Sequence, residues 1–198
     1  MNSKIALSGL SILASLALIG GATFAYFSDV GTSTGNVFGA GTFDLKLGDD
    51  NESVKDDIDT TWNNTNMAPG TNPITATLKL RNSGTVIGNN VHLKAENVIT
   101  DTGYTESQPM SKLLEITAAT YDGVDILSLI PDTNGNTIKD LNDLEVSGAG
   151  PQIGPLTLLN VDYPLILTIQ LHSSADNTFL GDTVTTKFTA TLHQSATE

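Results

Sequence analysis

Oxygen-bearing side chains between residues 132 and 143 have the spacing best suited to bind an ion. Asp132, Asn134, Asn136, Asp140 and Asp143 occupy positions one, three, five, nine and twelve of a loop, as in an EF-type calcium loop. The glycine lies at position four instead of six, and the last carboxylate is aspartate instead of glutamate. An Asn-Gly hairpin turn explains the same residues. Both a calcium loop and a plain turn therefore remain open, and calcium is the one cofactor that the sequence suggests.

The histidines offer little support for metal-dependent catalysis. His92, His172 and His193 are the only three, and no pair is spaced one helical turn apart around a glutamate, as a zinc peptidase motif requires. Three histidines on one sheet face would suffice for zinc, but each falls at a polar position of a predicted strand, which favours an exposed residue. There is no cysteine nucleophile or disulfide. We assign no catalytic residue and predict a protein that is not an enzyme.

Composition indicates one acidic, β-rich domain. The chain has 198 residues, a formal charge of −13 and only 9 lysines and arginines, too few for a phosphate-binding face, so nucleic acid is excluded as a partner. Hydrophobic residues make up 39% and charged residues 16%. This balance suits strands and tight turns better than disorder.

Apolar and polar residues alternate with period two along several segments, which predicts strands with one buried face. These segments centre on Phe43, Leu45 and Leu47; Ile74, Ala76, Leu78 and Leu80; Val91, Leu93 and Ala95; Leu165, Leu167, Ile169 and Leu171; and Val184, Phe188, Ala190 and Leu192. Gly, Pro and Asn turn signals separate them. Such strands bury their apolar faces by pairing two sheets, so we predict an all-β, antiparallel β-sandwich of jelly-roll type.

One short helix is predicted outside the strands. Ile138, Leu141 and Leu144 have helical spacing, and Asn136-Thr137 offers a capping side chain. The pattern favours a helix over residues 137–144, while the remainder of residues 100–154 has no clear periodicity.

The N-terminus has the three-part layout of a secretory signal peptide. Lys4 precedes an apolar stretch over residues 5–19, and small residues then lead to Ala25. We expect cleavage between Ala25 and Tyr26, which gives a signal peptide over 1–25, an N-terminal segment over 26–37 and one domain over 38–198. The alternative is an uncleaved anchor, which would be the only membrane contact. Asn51 and Asn63 begin N-x-Ser/Thr motifs and are candidate glycosylation sites.

Several motifs in this order resemble the camelysin/TasA family of extracellular matrix proteins. They are GGATFAYFSD at 20–29, VFGAGTFDL at 37–45, APG at 68–70, LKLRNSG at 78–84, FLGD at 179–182 and FTAT at 188–191. The likeness covers both ends and the second strand region, whereas residues 100–154 show none. It implies a jelly roll, export with cleavage by a SipW-like signal peptidase, and assembly outside the cell into biofilm-matrix fibres or pili.

The resemblance also implies a mode of assembly. In such filaments the N-terminal segment of one mature subunit completes a sheet of the next, which gives a head-to-tail homopolymer. Tyr26, Phe27 and Val30 are the expected apolar contacts of this donor strand. A loose leader, or a first strand within its own domain, is the alternative for the same residues. A camelysin-like cell-surface metallopeptidase and a monomeric surface adhesin remain alternative functions.

Overall fold

The computed structural model describes residues 3–4, 7–13, 40–50, 53–58, 64, 66–103 and 105–194. The chain divides into two compact units, Met1–Gly39 and Ala40–Glu198. In the first unit, residues 3–4 and 7–13 are helical. No helix within the described part of the chain combines the length and the apolar character needed to cross a bilayer.

Several sequence predictions concern residues outside the described ranges. They are the cleavage site at Ala25 and Tyr26, the donor-strand contacts Tyr26, Phe27 and Val30, and the glycosylation sites Asn51 and Asn63. Each of these stays a prediction.

The described residues of the second unit form eight strands in two antiparallel sheets. The strands are β1 (Leu45–Gly48), β2 (Ile74–Asn82), β3 (Gly88–Thr100), β4 (Leu114–Tyr121), β5 (Val124–Asp125), β6 (Gln152–Leu156), β7 (Asp162–Leu171) and β8 (Thr183–His193). One sheet has the order β1-β2-β7-β4-β5 and the other has the order β6-β3-β8. The expected all-β, antiparallel class is confirmed.

Buried side chains from both sheets form one hydrophobic core. Leu80, Leu165 and Leu167 come from the larger sheet, and Val91 and Leu93 come from the smaller one. Each of these five residues is at most 1% exposed. The five periodic segments of the sequence therefore all supply strands, although Phe43 lies just before β1 and is partly exposed.

Three strands, β4, β5 and β6, fall in the region that the sequence left unassigned. Strand β4 contains a bulge between Ile116 and Ala118, where its register with β7 shifts. Buried positions change there from Leu114 and Ile116 to Ala119 and Tyr121. The extra residue moves the apolar phase by one position, so the strand has no continuous period of two.

The predicted helix is present only over the second half of residues 137–144. It is a 3₁₀ helix at Leu141–Leu144 that begins after Asp140. Thr137 has a φ of 68°, a left-handed conformation that a right-handed helix excludes. The expected start and the expected cap at Asn136-Thr137 are therefore wrong. Further 3₁₀ helices lie at Met110–Lys112, Leu127–Leu129 and Asn177–Phe179.

Candidate functional site

The loop from Asp132 to Asp143 brings three of its five predicted calcium ligands into side-chain contact, Asn134, Asn136 and Asp140, while Asp132 contacts only backbone amides. Asp140 and Asp143 are fully buried. The side-chain amide nitrogens of Asn134 and Asn136 donate to the Asp140 carboxylate at 3.1 and 2.8 Å. Burial raises the pKa of Asp140, although these amide donors act in the opposite direction.

The other two carboxylates of this loop also accept hydrogen bonds from the protein. Asp143 Oδ1 accepts from the amide of Thr133 at 2.7 Å and from its hydroxyl at 3.0 Å. Asp132 accepts from the amides of Gly135 and Thr137 at 2.7 and 3.0 Å. A calcium ion would have to replace such bonds, so the geometry accounts for the loop as a hydrogen-bonded turn. The calcium loop stays a prediction.

The three histidines lie in two places. The rings of His92 on β3 and His193 on β8 meet edge to face with centroids 5.2 Å apart. His92 Nδ1 is also 2.9 Å from the Gly150 carbonyl oxygen. His172 follows β7, and its Nδ1 lies 2.8 Å from the Ser174 hydroxyl. All three are half-buried instead of exposed; His92 and His193 cover each other, and His172 contacts Ser174.

A different set of carboxylates forms the strongest candidate ion site, which we call the acidic triad: Asp101, Glu106 and Asp182. One carboxylate oxygen from each lies within 4.8 Å of one from each of the others. Asp101 directly follows β3, and Asp182 directly precedes β8. The last register pair of these strands, Thr100 and Thr183, brings the two aspartates to the same edge.

The loops that carry the acidic triad are held in place by Thr102. Its amide and its hydroxyl both donate to Asp182 Oδ1 at 2.9 Å, and the hydroxyl is also 2.9 Å from the Leu180 carbonyl oxygen. The Thr102 amide lowers the pKa of Asp182. Asp182 is only 9% exposed, and the hydrogen bonds from Thr102 favour its charged form against the cost of this burial.

Two oxygens of the acidic triad have no donor other than a proton that the two carboxyl groups share. Asp182 Oδ2 and Glu106 Oε1 are both shielded from solvent and have no further hydrogen-bond partner. A proton shared with Asp182, together with burial and the charge of Asp101, raises the pKa of Glu106 to about 7. When Glu106 is ionised, the two facing carboxylates repel each other, and a cation between them would offset this repulsion.

Strand β8 is the second feature of interest, because it is an edge strand of the smaller sheet. It pairs with β3 over 11 residues without a register shift. Its inward-facing side chains, among them Val184, Ala190 and Leu192, pack on the core yet are only partly buried. Among the described strands, β3 is the one neighbour of β8 in the sheet.

The other edge strands of the two sheets offer far fewer backbone groups for pairing with a further strand. Strand β6 carries Gly154 and Pro155 and pairs irregularly with β3, and proline removes a backbone donor. Strand β5 has two residues. Strand β1 has four, and Lys55 forms two backbone hydrogen bonds with its Leu47. Strand β8 is thus the longest regular edge strand of the two described sheets.

Fold and sites together define an acidic, all-β protein with a carboxylate cluster at one end of the edge strand β8. The family model described as camelysin metallo-endopeptidase matches residues 1–120 of the chain. The chain belongs to this family, which confirms the resemblance seen in its motifs. A search of curated proteins gave no match.

The family's description implies a catalytic metal, and zinc is the usual one for such peptidases. A catalytic zinc site takes three protein ligands, commonly with histidine among them. Within the described residues, the acidic triad is the one group of three or more ligands close enough to share an ion, and it contains no histidine. The described residues therefore do not fit a catalytic zinc centre.

Proposed function

We propose that this protein is an exported structural subunit that polymerises head to tail into extracellular fibres or pili. In this proposal the signal peptide ends at Ala25, and residues 26–37 of one mature copy add a strand along β8 of the next. The added strand would complete a jelly roll. Calcium in the Asp132–Asp143 loop and glycans at Asn51 and Asn63 are not needed for it.

The observation that carries the proposal is the position and regularity of β8. Among the described strands, β3 is the one neighbour of β8 and pairs with it evenly over 11 residues, and an edge strand of this kind can offer backbone donors and acceptors to a further strand. An extended peptide can satisfy such groups by β-strand addition. The segment 26–37 has enough residues to run along the whole of β8.

Side-chain burial supports the same arrangement. Val184, Ala190 and Leu192 face the core and remain only partly covered. In an added strand Tyr26 and Val30 share one face and Phe27 lies on the other. The donor side chains on the inner face would cover it further, and burial contributes about 25 cal/mol per Å² of apolar surface. A head-to-tail contact of this kind repeats without closing, which gives filaments.

The proposal assigns no catalytic residue, although the family is described as a metallo-endopeptidase. A peptidase assay separates the two functions. The purified chain is expected to leave casein intact with and without chelator. Chelator-sensitive hydrolysis that disappears in His92→Ala would replace the structural function with an enzymatic one.

Assembly is tested by electron microscopy of two chains, one from Tyr26 to Glu198 and one from Val37 to Glu198. Only the proposed donor segment differs between them. We expect fibres from the longer chain alone, with circular dichroism showing both to be folded. Fibres from both would assign assembly to another surface, and fibres from neither, over a range of pH, salt and calcium, would contradict autonomous polymerisation.

A further inference from the structure

The acidic triad lies at the end of the smaller sheet where β3 ends and β8 begins. Asp101 extends from the C-terminal end of β3, and Asp182 leads into the N-terminal end of β8. Glu106 comes from the segment between β3 and the 3₁₀ helix at Met110–Lys112. An ion held by these three carboxylates would join two backbone segments at one end of β8, the loop after β3 and the residues that lead into β8.

Two of the three carboxylates in the triad, Asp101 and Asp182, are held by neighbouring backbone amides. Thr102 binds both Asp182 and the Leu180 carbonyl oxygen, and Gly103 donates its amide to Asp101. Gly181 has a φ of 89°, and a Cβ at this position would lie 2.9 Å from Thr102 Cγ2. The two loops therefore pack closely against each other, and their backbone contacts determine the positions of the Asp101 and Asp182 carboxylates.

The charge of the triad is uncompensated by the described residues. Ion pairs in the described part of the chain involve Lys46, Lys79 and Arg81, and none of these reaches the triad. Meanwhile Asp182, nine-tenths buried, has an oxygen with no donor, as does Glu106. Buried acceptors without donors are costly unless a proton or a metal ion is bound.

We propose that Asp101, Glu106 and Asp182 bind a calcium ion that ties the loop after β3 to the start of β8. Two oxygens that each lie about 2.4 Å from one calcium are at most about 5 Å apart. The three oxygens lie within 4.8 Å of one another, which is inside this limit. Calcium takes six to eight oxygen ligands, whereas magnesium usually keeps several waters and only one or two carboxylates, so three carboxylates favour calcium. The all-oxygen donor set also suits calcium better than zinc.

This site is separate from the loop at Asp132–Asp143 and does not depend on fibre assembly. In the loop, amide and hydroxyl donors already meet the carboxylates. In the triad, two oxygens lack such donors. Calcium binding to one subunit and its polymerisation can therefore succeed or fail independently.

The test is calorimetric titration of calcium chloride into the full chain after removal of metals with a chelator, followed by thermal unfolding. We expect one saturable site and a rise in Tm that EGTA reverses. Glu106→Gln and Asp182→Asn should each weaken calcium binding about tenfold or more, because each removes one anionic ligand. Asp182→Asn keeps an oxygen for Thr102, so the loop has its acceptor in both variants.

Asp122→Asn is the matched control. It removes one charge at an exposed turn with a φ of 49°, a conformation that asparagine also tolerates. Calcium affinity should match that of the parent chain. The proposal is overturned if the parent shows neither binding heat nor a Tm shift up to about 10 mM calcium, above the weakest range of extracellular calcium modules. Binding that survives Glu106→Gln and is lost in Asp132→Ala would also overturn it, and would assign calcium to the other loop.

Discussion

Asp140 and Asp143 cap each other's backbone. The Asp140 carboxylate accepts from the Asp143 amide at 3.0 Å, and the Asp143 carboxylate accepts from the Asp140 amide at 3.1 Å. Both residues are fully buried. The pair fixes the start of the 3₁₀ helix at Leu141–Leu144, whose leucines enter the core. Two residues with metal-ligand spacing thus perform a structural task.

Asp143→Ala should destabilise the fold strongly. The substitution leaves the buried Asp140 amide and the part-buried Thr133 amide without acceptors, and an orphaned buried donor costs about 1–3 kcal/mol. We expect the free energy of unfolding in urea to fall by about 3 kcal/mol. The control is Asp57→Ala at an exposed position, which should change it by less than about 0.5 kcal/mol. Equal losses in both variants would contradict the capping role.

Asn82→Asp tests the turn that carries the family-like LKLRNSG motif. Asn82 is fully buried, donates to the Val86 carbonyl oxygen at 2.7 Å and accepts from the Gly84 amide at 3.0 Å. An aspartate would place a charged oxygen against the Val86 carbonyl. We expect a loss of at least about 2 kcal/mol at neutral pH, partly recovered in acid, where the protonated carboxyl can donate.

The exposed Asn160 provides the control for this change. It has a φ of 59°, which asparagine and aspartate both tolerate, so Asn160→Asp should leave stability nearly unchanged. If Asn82→Asp is as stable as Asn160→Asp in chemical denaturation, the buried amide does not organise the turn.

Acid should remove a stabilising contribution of Asp176. The Thr178 hydroxyl and amide both donate to its carboxylate and lower the pKa of Asp176 below 3.8. Because the folded-state pKa is below the unfolded-state value, this contribution is present above about pH 4 and is lost as the pH falls through the folded pKa. The stability difference between the parent and Asp176→Asn should therefore shrink between about pH 5 and about pH 3. A constant difference would show that the carboxylate charge has no role.

Charge on the inner face of β8 should block assembly. Ala190 faces the core and is partly buried, while the next residue, Thr191, is exposed on the outer face. An inward-pointing charge discourages strand addition. We expect Ala190→Lys to abolish fibres from the chain beginning at Tyr26 and Thr191→Lys to form them normally, by electron microscopy. Fibres from a folded Ala190→Lys chain would place the contact elsewhere.

Regular strands were predictable because their burial follows a period of two. Leu78 and Leu80 in β2 and Leu165 to Leu171 in β7 show this alternation. Strand β4 was missed because its bulge shifts the phase after Ile116, and β6 because glycine and proline occupy its centre. The local sequence pattern therefore predicts regular strands and misses strands that contain a bulge, a glycine or a proline.

The acidic triad was unpredictable for a different reason. Thr102 and Asp182, which touch in the structure, are 80 positions apart in the chain. Only the register of β3 with β8 brings them together, and this register is a tertiary property. The loop at residues 132–143 attracted attention because its acidic residues are close in sequence, yet most of its carboxylate oxygens already have donors.

The order of strands in the larger sheet determines when this chain can fold. Thr75 of β2 and Thr168 of β7 share a hydrogen bond at 2.7 Å across 93 positions, and β7 also separates β2 from β4. During synthesis the larger sheet lacks its central strand, β7, until the ribosome has made residues Asp162–Leu171. Such distant pairing slows folding, so for a period the newly made chain lacks the larger sheet and that sheet's part of its core.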